Sequence, residues 1–239
     1  MKPILLTLSI LCAACPPAFA DNNINQIDQL LQADFRKLSE DMGAALSYKA
    51  VIPAKPLGIT GFDIVMEVSA TKLKNPGAWD RASSGNAPTT VYIPKLHLHK
   101  GLPAGIDVGA FFSSVPTTNI KIWGGELRYA ILEGSLVGPA LAVRGSYSKL
   151  SGVDQLDFHT TGLELVISKG FALFTPYAGV GRIWTTSAPV GIANLKKEDF
   201  GQNKYFVGGN VNFGLGNLAL ETDKTGDATS YNLKVGFRF

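Results

Sequence analysis

The sequence predicts an all-β fold: an antiparallel transmembrane β-barrel of about ten strands, within a range of eight to twelve, preceded by a short amphipathic N-terminal helix. From Gly61 onward, apolar and polar residues alternate in one segment after another. Most of these segments span about 9 to 15 residues, which suits strands that cross a bilayer at a tilt. Short and long connections also alternate between the segments, as they do in membrane barrels.

The last ten residues, SYNLKVGFRF, give the clearest example of the alternation. Asn232, Lys234 and Arg238 fall on one side of a strand. The apolar residues all fall on the other side: Tyr231, Leu233, Val235, Phe237 and Phe239. A soluble periplasmic β-sandwich that binds a ligand would turn such an apolar side inward, and this stays open as an alternative. The length of the strands favours a barrel, whose apolar side faces lipid.

The connections predict which end of the barrel faces which side of the membrane. Short turns are predicted around residues 101–103, 133–138, 169–170 and 215–217, and longer loops at 74–88 and 188–199. With ten strands, the first and last strands of the barrel both have their outer ends on the side with short turns, which is predicted to be the periplasmic side. Residues 45–53 alternate weakly and would make an odd eleventh strand, so we expect them at the barrel entrance or inside the barrel.

The N-terminus has the pattern of a secretory signal peptide over residues 1–20. Lys2 precedes a short apolar run, and Ala18-Phe19-Ala20 fits a cleavage site. A lipoprotein signal with Cys15 as its processing site is the rival interpretation. The predicted organisation is therefore a signal peptide at 1–20, an N-terminal helix and the segment leading into the barrel at 21–60, and an outer-membrane barrel at 61–239.

Composition excludes several classes of site. The chain has a formal net charge of +3, which is too small to argue for nucleic-acid binding. Its two cysteines, Cys12 and Cys15, both lie within the predicted signal peptide. The rest of the chain therefore has no thiol for a disulfide, a nucleophile or a metal site, and the sequence predicts no cofactor.

Residues 24–46 have apolar side chains at helical spacing and a charged opposite face, which predicts an amphipathic helix. Such a helix lies either at the membrane interface or in the periplasm, or it enters the barrel as a plug. The apolar stripe requires an apolar neighbour, whereas the predicted barrel interior is charged. We therefore expect the interfacial or periplasmic position.

The inward faces of the predicted strands carry charges of both signs. Five of these residues, contributed by four consecutive strands, are predicted to form one inward charge layer: Glu126, Arg128, Arg144, Glu164 and Arg182. In a barrel this narrow, mixed charges favour ion-pair networks that close the interior, because an unpaired buried charge is costly. A narrow path for small solutes is the alternative.

Catalytic and metal-binding patterns are weak. His97 and His99 share one strand face and are weak candidates for a metal site, and the favoured interpretation is that they are interior residues hydrogen-bonded to carboxylates. No spacing singles out a catalytic set, so the sequence predicts no catalytic residue. An outer-membrane enzyme that modifies or hydrolyses lipids stays open as an alternative.

The terminal strand, with Tyr231, Leu233, Val235, Phe237 and Phe239, resembles the assembly signal of Gram-negative outer-membrane barrels. The stretch PLGITGFDI at residues 56–64, with the strands after it, resembles a family of uncharacterised proteobacterial outer-membrane barrels. The resemblance implies the cell outer membrane as location, with membrane lipids, periplasmic chaperones and the barrel assembly machinery as partners. It implies no activity, so a structural or narrow-channel role is the expected function.

Overall fold

A computed structural model of the chain describes residues 23–83, 88–115, 118–135 and 137–239. The predicted signal peptide, residues 1–20, lies outside the described residues. None of the helices in the described ranges is long and apolar enough to cross a membrane.

Ten antiparallel strands form a closed barrel in which each strand pairs with its neighbours in sequence and β1 pairs with β10. The predicted barrel of ten strands is therefore confirmed. The strands are β1 Phe62–Lys72, β2 Thr90–Gly101, β3 Ile106–Ser114, β4 Lys121–Glu133, β5 Ala140–Ser151, β6 Leu156–Ser168, β7 Phe174–Pro189, β8 Glu198–Phe213, β9 Gly216–Thr225 and β10 Ala228–Arg238.

The barrel closes where the two ends of its sequence meet. The amide of Phe62 donates to the carbonyl of Phe239 over 2.6 Å, and the amide of Phe239 donates back to Phe62 over 3.0 Å. Their aromatic rings also touch, with centroids 5.7 Å apart. Closure matters because a sheet with no free edge leaves no row of unpaired backbone groups.

The two ends of the barrel differ as the sequence predicts. One end, here called the short-turn end, carries the turns after β2, β4, β6 and β8 together with Phe62 and Phe239. The opposite, long-loop end carries the longest connections, from β1 to β2 and from β7 to β8. The first of these contains a short helix, α2 Pro76–Ala82, which the sequence analysis did not predict.

Alternation along the strands puts large apolar side chains on the outer surface. Leu98, Leu127, Leu163, Val207 and Leu220 are each at least half exposed, while their sequence neighbours point inward and are mostly buried. A soluble monomer rarely exposes a continuous apolar surface of this extent.

The N-terminal segment, residues 23–57, lies inside the barrel and not at the membrane interface or in the periplasm, so that expectation is wrong. It contains a 3-10 turn at Ile27–Gln29 and the helix α1 Gln32–Leu46, which is shorter than the predicted helix, followed by an extended stretch. The apolar stripe of α1 finds apolar partners inside the barrel. Five inward side chains from strands β2 to β6 form an apolar cluster with it near the long-loop end: Ile93, Phe111, Ile122, Leu150 and Phe158.

Candidate functional site: the occupied barrel lumen

The N-terminal segment begins at the long-loop end of the lumen, the space enclosed by the barrel. The amide of Gln26 donates to the carbonyl of Ala82 in α2 over 3.0 Å. Arg36 on α1 pairs with Glu198 at the start of β8 over 3.0 Å, and its guanidinium lies 4.1 Å from the ring centroid of Phe200. The first turns of α1 are thus tied to the loops and rim of this end.

Helix α1 packs closely against the wall of the barrel. The hydroxyl of Ser39 donates to that of Ser187 on β7 over 2.8 Å. A Cβ atom on Gly43 would lie 2.6 Å from the Thr185 hydroxyl, so only glycine permits this close approach. The buried carboxylate of Asp41 accepts hydrogen bonds from the amides of Lys74 over 3.1 Å and Asn75 over 2.8 Å, which ties α1 to the connection after β1.

Beyond α1, the extended part of the segment continues toward the short-turn end. Wall side chains donate to backbone carbonyls at the end of α1 and along this part: Ser148 to Leu46 over 2.8 Å, Lys204 to Tyr48 over 3.2 Å and Arg128 to Pro53 over 2.7 Å. The Leu57 amide donates to Asp107 over 3.0 Å. An irregular segment buried inside a barrel needs such partners, since its backbone polar groups have no helix or sheet to satisfy them.

Lys49 is the charged anchor of the extended part. Its ammonium donates to both carboxylate oxygens of Asp223 on β9, over 3.0 and 2.9 Å, and neither side chain is exposed. Thr225 and Asn232 also donate to Asp223, over 3.1 and 2.9 Å. The ion pair therefore lies in a fully formed polar site, as a buried pair requires.

Three of the five residues predicted to form an inward layer meet in one network. Arg144 donates to Glu164 through Nε over 2.7 Å, and the same nitrogen lies 3.6 Å from an oxygen of Glu126. Lys204 on β8, which the sequence analysis did not include in the layer, donates to the other oxygen of Glu164 over 2.7 Å. All four side chains are buried on the lumen side of the wall.

The fourth residue, Arg128, also faces the lumen but has a different partner. Its Nε donates to Asp107 over 3.1 Å, and a terminal nitrogen donates to the carbonyl of Pro53. Arg128 therefore clamps the N-terminal segment to the wall, a role that strand order alone does not reveal.

Placing Arg182 in the inward layer is wrong. Its side chain lies on the outer surface of β7 and donates to Asn203 on β8 over 3.1 Å, while the next residue, Ile183, is buried in the lumen. The faces of β7 were assigned one residue out of register, and such a slip moves every side chain to the other side.

His97 and His99 stack in the lumen with ring centroids 5.6 Å apart. Nε2 of His97 lies 2.7 Å from a Glu67 oxygen, and Nε2 of His99 lies 3.1 Å from the Tyr48 hydroxyl. Both rings are fully buried. Among the described residues, no group of three or more His, Cys, Asp or Glu side chains could hold a metal ion. The geometry thus links the pair to a carboxylate and to the N-terminal segment.

Charges of the strands on the lumen side are close to balance. The described strands contribute seven buried carboxylates: Asp63, Glu67, Asp107, Glu126, Glu164, Glu221 and Asp223. They also contribute six cations, of which Arg238 is partly exposed at the mouth: Lys95, Arg128, Arg144, Lys204, Lys234 and Arg238. The N-terminal segment adds one buried cation, Lys49, which pairs with Asp223, and one buried carboxylate, Asp41.

A cavity of about 540 Å³ opens at the short-turn end. Pro53, Lys55 and Leu57 of the N-terminal segment line it together with Glu133 and residues of the turns. The cavity is therefore bounded by the segment that occupies the rest of the lumen.

The residues that resemble an assembly signal lie together on the outer face of β10. Tyr231, Phe237 and Phe239 are 50%, 54% and 57% exposed, and Leu233 and Val235 lie between them. The strand thus presents a continuous aromatic and aliphatic surface to the outside of the barrel.

Similarities to known proteins are found among solved structures. No protein-family model matches the sequence, and no curated protein matches it. The N-terminal β-barrel domain of Pseudomonas aeruginosa OprF is 13% identical with a TM-score of 0.36, over 73% of this chain and 97% of that chain. Ail, the attachment invasion locus protein of Yersinia pestis, is 13% identical with a TM-score of 0.33, over 75% and 98%. The KdgM porin is 9% identical with a TM-score of 0.38, over 74% and 98%.

Proposed function

We propose that the protein is an integral outer-membrane barrel whose lumen is closed by its own N-terminal segment, and that it has a structural or surface role and not that of an open pore. One observation carries the proposal: Tyr48, Lys49 and Ala50 lie at the centre of the lumen with at most 1% of their surface exposed. A segment packed and ion-paired in this way leaves no water column at that level.

The outer surface supports the membrane location. Its exposed apolar side chains follow the strands around the barrel, and the closed sheet has no free edge, which are the two requirements of a lipid environment. Short turns face the periplasm in membrane barrels of this class, so the long-loop end would face outward. Membrane lipids and the barrel assembly machinery are then the expected partners, and the outer face of β10 is the surface offered to the latter.

The experiment that tests closure measures ion current through the full chain in planar lipid bilayers. We expect no stepwise current. The double variant Ser39→Cys/Ser187→Cys provides a lock, because the two hydroxyls are 2.8 Å apart and a disulfide there would hold α1 against β7. If the reduced double variant shows rare current steps that vanish when the disulfide forms, those steps arise when the N-terminal segment leaves the lumen. A steady current through the oxidised variant would contradict the proposal, since the lumen would then conduct around its plug.

The membrane location predicts a strong dependence on depth for charges on the outer face. Leu163 lies at the middle of β6 and is 51% exposed, whereas Leu173 lies in the turn after β6 and is 61% exposed. In lipid vesicles, Leu163→Arg is expected to lower the free energy of unfolding by about 2 to 4 kcal/mol, and Leu173→Arg by less than about 1 kcal/mol. Urea titration of the reconstituted protein measures both, and equal losses would argue against lipid at the barrel midplane.

A further inference from the structure

A groove of about 460 Å³ runs along the outer surface of the barrel where β8, β9 and β10 meet. Its walls are the outward side chains of Val207, Leu220, Tyr231 and Leu233, and Thr222 lies between them. The groove also borders Glu221 and Asn232, whose side chains are buried in the lumen. The surface it offers to a ligand is therefore almost wholly apolar.

The groove results from the pairing register of the sheet, which places a small side chain between larger ones. Thr222 pairs with Val207 on one side and with Tyr231 on the other, so a small side chain separates two larger ones. Its hydroxyl donates back to the carbonyl of Ser230 over 3.3 Å, which leaves its methyl group to face the groove. Two residues along β9 from Thr222, Leu220 pairs with Gly209, which has no side chain. The groove therefore continues toward the short-turn end.

Two lysines stand directly above the groove, at its long-loop end. Lys224 follows Thr222 by two residues on β9, and Lys72 is joined to it through Thr229, since Thr229 pairs with both. Two strand spacings separate the lysine backbones by about 9 to 10 Å. The ammonium of Lys72 lies 5.4 Å from the ring centroid of Tyr231, one of the groove walls.

The pair of lysines is exposed and carries net positive charge. Neither Lys72 nor Lys224 forms an ion pair with a residue in the described ranges. Asp223, next to Lys224 in sequence, is buried in the lumen, and the exposed carboxylate nearest along the chain is Asp227 in the turn. Two exposed cations therefore face one exposed anion. The apolar groove and the uncompensated cations together match a molecule with an acyl chain at one end and an anionic group at the other.

We propose that the groove and the two lysines form a binding site for one phosphate-bearing lipid of the leaflet at the long-loop end, an inference that rests on the proposed membrane location. Its acyl chain lies against Thr222, and its phosphate is held by Lys72, Lys224 and the Thr229 hydroxyl. Selectivity comes from the lysines, because any lipid chain fills an apolar groove but only an anionic headgroup gains from the ammonium groups.

Native mass spectrometry of the detergent-solubilised full chain tests the site, with phosphatidylglycerol and phosphatidylcholine in competition. The protein should retain phosphatidylglycerol preferentially, and Lys72→Gln/Lys224→Gln should lower that preference at least about tenfold. The control Lys121→Gln/Lys149→Gln removes two other outward lysines of the same end and should keep the preference. Thr222→Phe should lower retention of both lipids by filling the groove.

Three outcomes would overturn the site. An unchanged preference in Lys72→Gln/Lys224→Gln would show that these lysines do not hold the headgroup. An equal loss in the control variant would indicate a general basic belt and no specific site. Displacement of the lipid by inorganic phosphate alone would show that the acyl chain contributes nothing. None of these results bears on closure or on the depth dependence at Leu163, so failure of this site is distinguishable from failure of the proposed function.

Discussion

A cysteine at Asn25 is expected to react with a membrane-impermeant maleimide on intact cells, whereas a cysteine at Lys55 is expected to react only after the outer membrane is permeabilised. Both residues are exposed, and both belong to the same N-terminal segment. Asn25 lies beside α2 at the long-loop end, and Lys55 lines the cavity at the short-turn end. The segment thus passes through the barrel, so its two ends should be accessible from opposite sides of the membrane.

Labelling reports on the added cysteine alone, because the only cysteines in the sequence, Cys12 and Cys15, lie in the predicted signal peptide. The parent chain without an added cysteine gives the blank. If both variants are labelled only after permeabilisation, both ends of the segment lie on the periplasmic side, which contradicts its passage through the barrel. Labelling of both variants on intact cells would instead contradict a closed lumen.

The strands and most of their faces could be predicted from sequence because the outer surface is apolar and the inner surface is mostly polar. Leu96 and Leu98 on β2, and Leu218 and Leu220 on β9, alternate with polar or small residues in the sequence, and these leucines lie on the outer face. Successive side chains of a strand point to opposite faces, so an apolar outer surface gives a period of two along most of the strands.

Strand β7 is where this pattern becomes ambiguous. Tyr177 and Ile183 are apolar yet point inward, while Val180 and Trp184 point outward. Both faces of the strand therefore carry apolar side chains, and the period of two is lost. The inward neighbours Gly179 and Gly181 have no side chain to mark their face. Arg182 then looked like a lumen residue, although its guanidinium is on the outside with Asn203.

The position of the N-terminal segment was missed because the lumen was treated as uniformly charged. Along β2, the inward residues change from Val91 and Ile93 near the long-loop end to Lys95, His97 and His99 farther down. Such a gradient is visible in the sequence once the faces are assigned. It would have indicated an apolar chamber that suits the amphipathic α1, followed by a polar zone.

Ion-pair partners in the lumen could be predicted only in part. Arg144 and Glu164 are direct neighbours across β5 and β6, so strand order brings them together. Arg128, by contrast, is directly opposite Arg144, and its charge is compensated by Asp107 and by the carbonyl of Pro53. That second partner belongs to a segment far away in sequence, and alternation carries no information about it.

Removing the charge of Arg144 is expected to destabilise the barrel severely. Arg144 is 1% exposed, and its guanidinium compensates Glu164 and lies close to Glu126. The methionine of Arg144→Met fills much of the space of the arginine side chain but carries no charge. Lys204 then remains bonded to Glu164, and Glu126 loses the cation near it. We expect the free energy of unfolding to fall by about 3 to 5 kcal/mol, because an uncompensated charge remains buried.

The matched control is Lys149→Met on the same strand, since Lys149 pairs with Asp157 over 3.4 Å at an exposed site, 40% and 51% accessible. An exposed pair contributes about 0 to 1 kcal/mol, so this variant should unfold almost as the parent chain does. The double variant Arg144→Met/Glu164→Gln should recover part of the loss by removing the orphaned carboxylate, although Lys204 then loses its own partner. Urea unfolding in lipid vesicles measures all three. Equal stability of Arg144→Met and Lys149→Met would mean that water reaches Glu164 and screens it, which a lumen filled by the N-terminal segment does not allow.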